Sequence, residues 1–184
     1  IVGLAHAWSA AERGHQVTVF ERSPVASGAS IRNFGMVWTI GQPETATALL
    51  SLRRWHQFAA ESGVWVNACG SLHLAHRPDE WQVLQEFYEH QQGLEYGSHL
   101  TLLTRDEAMS RSSAINPDGF VGALFSDLEL CVNPTETIRA IPKWLSERYA
   151  VEFKLDTNVI EATTGKLRTS VGETYGFDRI IVCS

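Results

Sequence analysis

Residues Gln16 to Arg22 read Gln-Val-Thr-Val-Phe-Glu-Arg, a short apolar strand that ends in an acid eighteen positions after Gly3. Between them, Leu4 to Arg13 reads as a helix in which Ala5, Ala7, Ala10 and Ala11 are small enough for close packing on a sheet, and Gly14-His15 ends it. A glycine that opens a helix, followed by a strand ending in Asp or Glu, is the later part of a dinucleotide-binding βαβ unit. In such a unit the helix N-terminus holds a pyrophosphate, and the acid accepts hydrogen bonds from ribose hydroxyls. The earlier part of the fingerprint, a strand and two further glycines, would lie before Ile1. At the other end, Arg179-Ile180-Ile181-Val182-Cys183-Ser184 has the composition of a buried strand without its following turn. The expectation is an internal piece of a longer protein, with strand Gln16–Glu21 parallel to strand Arg179–Cys183 and helix Gly3–Arg13 packed on both. The alternative is a complete small α/β protein whose first helix merely starts with glycine.

Composition narrows the function classes. The formal net charge is −6, and no basic run exists that would track phosphates, so no nucleic-acid partner is expected. Cys69, Cys131 and Cys183 are widely spaced and form no C-x-x-C pair, which points to free thiols in a reducing, cytoplasmic setting. His73 and His76 are the nearest pair of histidines, but no carboxylate or cysteine completes a ligand set beside them, and no metal is expected. No apolar run reaches the roughly 18 residues of a membrane-spanning helix.

The remaining chain alternates between helix and strand signals. Pro43 to Ala60 carries apolar residues at helical spacing (Leu49, Leu52, Trp55, Phe58), and Gly63 ends the run. Val64–Cys69 and Ser71–Ala75 read as short strands joined at Gly70, and Pro78 starts a second helix. Thr104-Arg105-Asp106-Glu107 is a capping box for a helix to about Arg111. Phe120–Ser126 and Leu128–Val132 read as strands, and Asn133-Pro134-Thr135-Glu136 supplies a cap, a first-turn proline and an acid for a helix to about Arg148. Strand-like runs follow at Val151–Leu155, Asn158–Ala162 and Leu167–Val171. This order predicts a nucleotide domain interrupted by a second, sheet-containing region. The boundaries fall at 1–42, 43–132 and 133–184.

Gly3, Glu21-Arg22, the loop Ala26-Ser27-Gly28-Ala29-Ser30, Gly70-Ser71-Leu72, Asn133-Pro134, Thr157-Asn158-Val159 and Ile180-Ile181-Val182-Cys183 occur in one order. That series resembles the FAD-dependent oxidoreductases of the D-amino-acid oxidase type, which include glycine and sarcosine oxidases. The likeness covers nearly the whole chain and matches the first half of such enzymes. It implies an α/β fold: an incomplete Rossmann-like FAD-binding domain interleaved with part of an α+β substrate domain. It also implies FAD as cofactor and a small-molecule amine or amino acid as substrate. The segment Ser27 to Trp38 is similar to a subgroup associated with aminophosphonate breakdown, which implies oxidation of an aminoalkylphosphonate.

Residue by residue, the resemblance implies that Gly3 faces the FAD pyrophosphate, Glu21 holds the adenosine ribose and Arg22 lies beside the adenine. It implies that Ser30, with Arg32, Asn33 and the backbone up to Gly35, approaches the pyrophosphate and isoalloxazine. Val159 would meet adenine through its backbone, and Cys183 and Ser184 would lie where the last strand meets the cofactor. Arg32 is also the candidate holder of a phosphonate, although it reads equally as a surface arginine, and Asn33 reads equally as a turn cap. No catalytic acid, base or nucleophile is assigned, because in flavin chemistry the cofactor takes the hydride. Two other readings stay open on the residues alone: an NAD(P)-linked dehydrogenase, and a non-catalytic nucleotide-binding remnant.

Overall fold

Two helices begin where side chains satisfy the first free backbone N–H groups. The structure, a computed structural model, describes residues 1–183. In it the Asn133 side chain accepts from Glu136 N, and Pro134 occupies the first turn of the helix Pro134–Tyr149. The Thr104–Glu107 capping box forms as the sequence predicts and opens the helix Arg105–Arg111. Contacts divide the chain into two units. One comprises Ile1–Phe34, Ala60–Val64 and the chain from Asn133 onward; the other comprises Gly35–Ala59 and Trp65–Val132.

In the first unit, numbering elements along the chain, α1 (Val2–Glu12) leads to β1 (Thr18–Phe20). β1 pairs in parallel with β8 (Glu152–Lys154), with Val19 opposite Phe153. β8 is immediately preceded by α5 (Pro134–Tyr149), which packs on α1; Trp8 and Trp144 meet edge to face with centroids 4.7 Å apart. Ile138, Ile141, Trp144 and Leu145 form the buried face of α5, a spacing set by 3.6 residues per turn. β9 (Val159–Thr163), β10 (Lys166–Thr169) and β11 (Thr174–Gly176) form an antiparallel sheet in the order β11-β10-β9. Phe20 at the end of β1 packs edge to face on Tyr175 and Phe177, with centroids 5.1 and 5.9 Å away.

The expected strand Arg179–Cys183 is not formed. Among the described residues the neighbour of β1 is β8, and residues 179–183 belong to no strand. An apolar run becomes a strand only where a neighbouring backbone offers N–H and C=O groups in register. Here the partner came from a segment more than 130 residues away along the chain.

The second unit holds two three-stranded antiparallel sheets. One has the order β2-β7-β3, from Met36–Val37, Leu130–Val132 and Val66–Asn67; the other has the order β4-β6-β5, from Ser71–Ala75, Gly122–Ser126 and Leu100–Thr104. Most of α2 (Thr45–Ser62), α3 (Pro78–Gln91) and α4 (Arg105–Arg111) lie in this unit. Val37, Leu52, Leu130 and Val132 make one apolar cluster, and Ile40, Leu49, Tyr96, Leu100 and Leu124 make another.

Candidate functional site

In the first unit the residues expected at a nucleotide site converge on the start of α1. Glu21 follows β1, yet its backbone stays in the ladder: its N–H donates to Lys154 O at 3.0 Å and its carbonyl accepts from Thr157 N at 2.9 Å. This fixes the carboxylate at the C-terminal edge of the parallel pair. Its Oε1 accepts from Ser23 N at 2.9 Å, which turns the chain, and Oε2 has no hydrogen-bond partner among the described residues.

Gly3 lies in the first turn of α1, where a Cβ would sit 3.6 Å from Cys183 Cβ and 3.9 Å from its Sγ. Ser30, in a short 3₁₀ turn (Ala29–Ile31), accepts from the Ile1 nitrogen at 2.7 Å. Cys183 and Glu21 both lie near the Ile1 nitrogen. Gly3, Glu21, Ser30 and Cys183 therefore gather around one helix start. That start has no side-chain cap and no acid in its first turn, so its N–H groups and positive dipole end remain available to an anion. An uncapped helix start beside a carboxylate with one free oxygen fits a dinucleotide, with pyrophosphate at the helix and ribose at the acid.

Of the other expected residues, Asn33 is tied to Ser30 by a hydrogen bond and Arg32 ends the same short turn. Arg22 and Arg32 are exposed, and Arg32 has no ion-pair partner among the described residues. Asn33 is exposed and its Nδ2 donates to Ser30 O at 2.8 Å, the behaviour of a turn cap. Gly35 belongs to the second unit, is buried at φ +69°, and its carbonyl accepts from Val132 N at 2.8 Å. Val159 is half-buried and begins β9. Ser184 lies outside the described residues.

Sequence reasoning passed over a buried polar network in the second unit. Glu129 is only 4% exposed. Its Oε1 accepts from Thr39 Oγ1 at 2.6 Å, Ile40 N at 2.9 Å and Tyr96 OH at 3.1 Å, while Oε2 accepts from Ser71 Oγ at 3.0 Å. Tyr96 OH also donates to Thr39 Oγ1 at 2.6 Å, and Ser71 Oγ lies 3.1 Å from His73 Nε2. Burial pushes the Glu129 carboxyl up, but hydrogen bonds from Ser126, Thr39, Ile40 and Ser71 outweigh it, and the group is held below the usual glutamate range. Burial lowers His73, with the Glu129 charge opposing, and raises the Tyr96 hydroxyl. The only sequence signal was an acid between two leucines, Leu128-Glu129-Leu130.

Beside Thr39 is a cleft of about 400 Å³, lined by residues that include Met36, Trp38, Thr39, Glu44, Ser51 and Trp55. The Trp38 indole N–H donates to Ile40 O at 2.9 Å, and its ring meets His73 edge to face at 5.4 Å. Among the described residues there is no cluster of His, Cys, Asp and Glu able to hold a metal ion, and no helix long and apolar enough to cross a membrane.

A parallel strand pair and an uncapped helix start beside a strand-end acid have the arrangement of a nucleotide-binding α/β protein. The family model described as DAO, FAD dependent oxidoreductase, matches residues 1–184. The chain belongs to this family, and its cofactor is FAD, which removes the NAD(P) alternative.

Solved structures with the same fold include glycine oxidase from Geobacillus kaustophilus, at 21% identity and TM-score 0.76, covering 96% of this chain and 50% of that one. Glycine oxidase from Bacillus cereus has 23% identity and TM-score 0.76, with 96% and 52% covered. L-Proline dehydrogenase from P. horikoshii has 21% identity and TM-score 0.84, with 95% and 48% covered. The chain thus spans about half the length of these relatives. No curated protein matches the sequence.

Proposed function

We propose that this chain forms the FAD-holding part of an oxidoreductase that oxidises the carbon–nitrogen bond of a small amine or amino acid. The observation that carries the reading is the convergence of Gly3, Glu21, Ser30 and Cys183 at the uncapped start of α1. In this proposal the α1 N–H groups and Ser30 hold the pyrophosphate, with Gly3 leaving the backbone approachable. The free Oε2 of Glu21 takes a ribose hydroxyl. Arg22 and Val159 flank the adenine, and Asn33, Gly35 and Ser184 border the flavin end. The first unit is then the FAD-binding domain, and the second is part of the substrate domain. Bound FAD supplies the hydride acceptor, so this chain's residues have only to bind and orient.

An amine substrate is supported by the names of the structural relatives: glycine oxidase, L-proline dehydrogenase and L-amino acid deaminase. Within that class we place aminoalkylphosphonates first, on the likeness of Ser27 to Trp38 and on Arg32, an exposed cation without an ionic partner among the described residues. Three free cysteines support a reducing, cytoplasmic setting.

The test is anaerobic mixing of the whole protein with a panel of amines while following the flavin band near ~450 nm, a property of the cofactor. Bleaching by an amine is the expected result, fastest with an aminoalkylphosphonate. Faster bleaching by sarcosine or D-alanine removes the phosphonate assignment alone. Bleaching by no amine overturns the proposal.

A further inference from the structure

Cys69 and Cys131 are far apart in sequence and meet in the second unit. Cys131 is the central residue of β7, the middle strand of its sheet, with Met36 of β2 opposite it on one side and Asn67 of β3 on the other. Side chains alternate along a strand, so Cys131 lies on the face opposite to Leu130 and Val132. Those two fill the apolar cluster with Val37 and Val66, and the Cys131 thiol is left outside it.

The chain leaving β3 carries Cys69 back to the same thiol. Asn67 is opposite Cys131, and the Gly70 N–H donates to Glu129 O at 2.9 Å. Three steps along this side, from 67 to 70, thus span two along β7, from 131 to 129, the one-residue excess of a β-bulge. Gly70 holds the bend at φ +70°, with no room for a Cβ beside the Ser126 carbonyl oxygen. Cys69 sits between these two anchors, and its sulfur is in hydrogen-bond contact with the Cys131 thiol. Both are free thiols. Burial first, and the Cys69 sulfur second, push the Cys131 thiol up, so Cys131 keeps its proton.

We propose that Cys69 and Cys131 form a redox-responsive pair, which a hydroperoxide converts to a disulfide that staples the end of β3 to β7. The Cys69 thiolate attacks a peroxide oxygen and the O–O bond breaks. Cys69 becomes a sulfenic acid, and its former proton leaves with the other oxygen as an alcohol or water. The Cys131 sulfur then attacks the Cys69 sulfur, the S–O bond breaks, and the departing hydroxide takes the Cys131 proton as water. Two thiols lose two electrons, and one peroxide bond gains them. A dithiol reverses the bridge by exchange. Cys69 is two residues before Ser71 and Cys131 two residues after Glu129, so the bridge clamps the two segments that the Ser71–Glu129 hydrogen bond already joins. A transient bridge of this kind suits a reducing setting. Neither cysteine belongs to the residues assigned to FAD, and the proposal stands apart from that reading.

The test treats the whole protein with a small excess of hydrogen peroxide, alkylates it, digests it without reductant and maps the peptides by mass spectrometry. A Cys69–Cys131 linked peptide is expected, and dithiothreitol should remove it. Cys131→Ser should leave Cys69 as a sulfenic acid that dimedone captures. Cys69→Ser should slow oxidation of Cys131 at least about tenfold, because a thiol that keeps its proton is a poor nucleophile. Phenylarsine oxide, which needs two adjacent thiols, should shield both cysteines of the unoxidised parent from alkylation, a readout that requires no variant to fold. The proposal is overturned by any of four results: no linked peptide, a link from either residue to a different cysteine in its place, unslowed oxidation of Cys131 in Cys69→Ser, or no shielding by the arsenical.

Discussion

Replacing Glu129 with alanine removes the acceptor for donors inside the second unit that include Thr39 Oγ1, Ile40 N, Tyr96 OH and Ser71 Oγ. Two of them have somewhere else to go. Tyr96 OH already donates to Thr39 Oγ1 at 2.6 Å, and Ser71 Oγ lies 3.1 Å from His73 Nε2. The Ile40 amide and the Thr39 hydroxyl proton are left buried without partners, at about 1–3 kcal/mol each, and the truncated side chain leaves a void. The expected cost is therefore about 3–6 kcal/mol, a large part of a typical domain's stability. Glu129→Gln keeps the shape and one acceptor oxygen, loses the charge assistance, and should cost about 1–2 kcal/mol.

The pH dependence follows from the sign of the shift. The folded-state carboxyl is held below the usual glutamate range. Its contribution is complete above about pH 4.3, the ordinary glutamate value, and is lost as the pH falls through the lower folded value. Urea denaturation of the whole protein, with hydrogen exchange at the Ile40 amide to localise the effect, measures both quantities. The gap between the parent and Glu129→Gln should be largest at neutral pH and should close in acid. A cost below about 1 kcal/mol for Glu129→Ala, or a gap that does not change with pH, would refute the argument that this carboxylate is buried, ionised and held by these donors.

Glu21→Ala in the whole protein should weaken FAD binding by about tenfold or more, the loss of a charge-assisted hydrogen bond, as read by flavin retention on dilution; unchanged retention defeats the ribose assignment. Gly70 has φ +70°, and a Cβ there would overlap the Ser126 carbonyl oxygen and come within 2.7 Å of Phe125 Cε2. Gly70→Ala should therefore destabilise by at least about 2 kcal/mol in a denaturant titration, and a neutral result would show that the turn can relax. Thr104→Ala breaks the capping box that starts α4, in which Glu107 Oε2 accepts from Thr104 N at 2.8 Å. A loss of about 1 kcal/mol is expected in thermal melts, with Thr104→Ser restoring most of it.

Local chemistry was readable along the chain. Asn133 with Glu136 and Thr104 with Glu107 act over three residues, so the starts of α5 and α4 needed no tertiary knowledge. The glycine-to-acid spacing likewise located α1, β1 and Glu21 in their observed order. Strand partnership was not readable in the same way. Arg179–Cys183 has the composition of a buried strand yet forms none, while Leu100–Thr104, with its broken alternation of Leu and Thr, pairs along its full length with β6. A strand is completed by another segment's backbone, and nothing in its own residues names that segment. Glu129 shows the same limit for a side chain. Its donors Thr39 and Tyr96 lie 90 and 33 positions away in sequence. The sequence places an acid between two leucines, and only the fold around it decides that the acid is buried, ionised and satisfied.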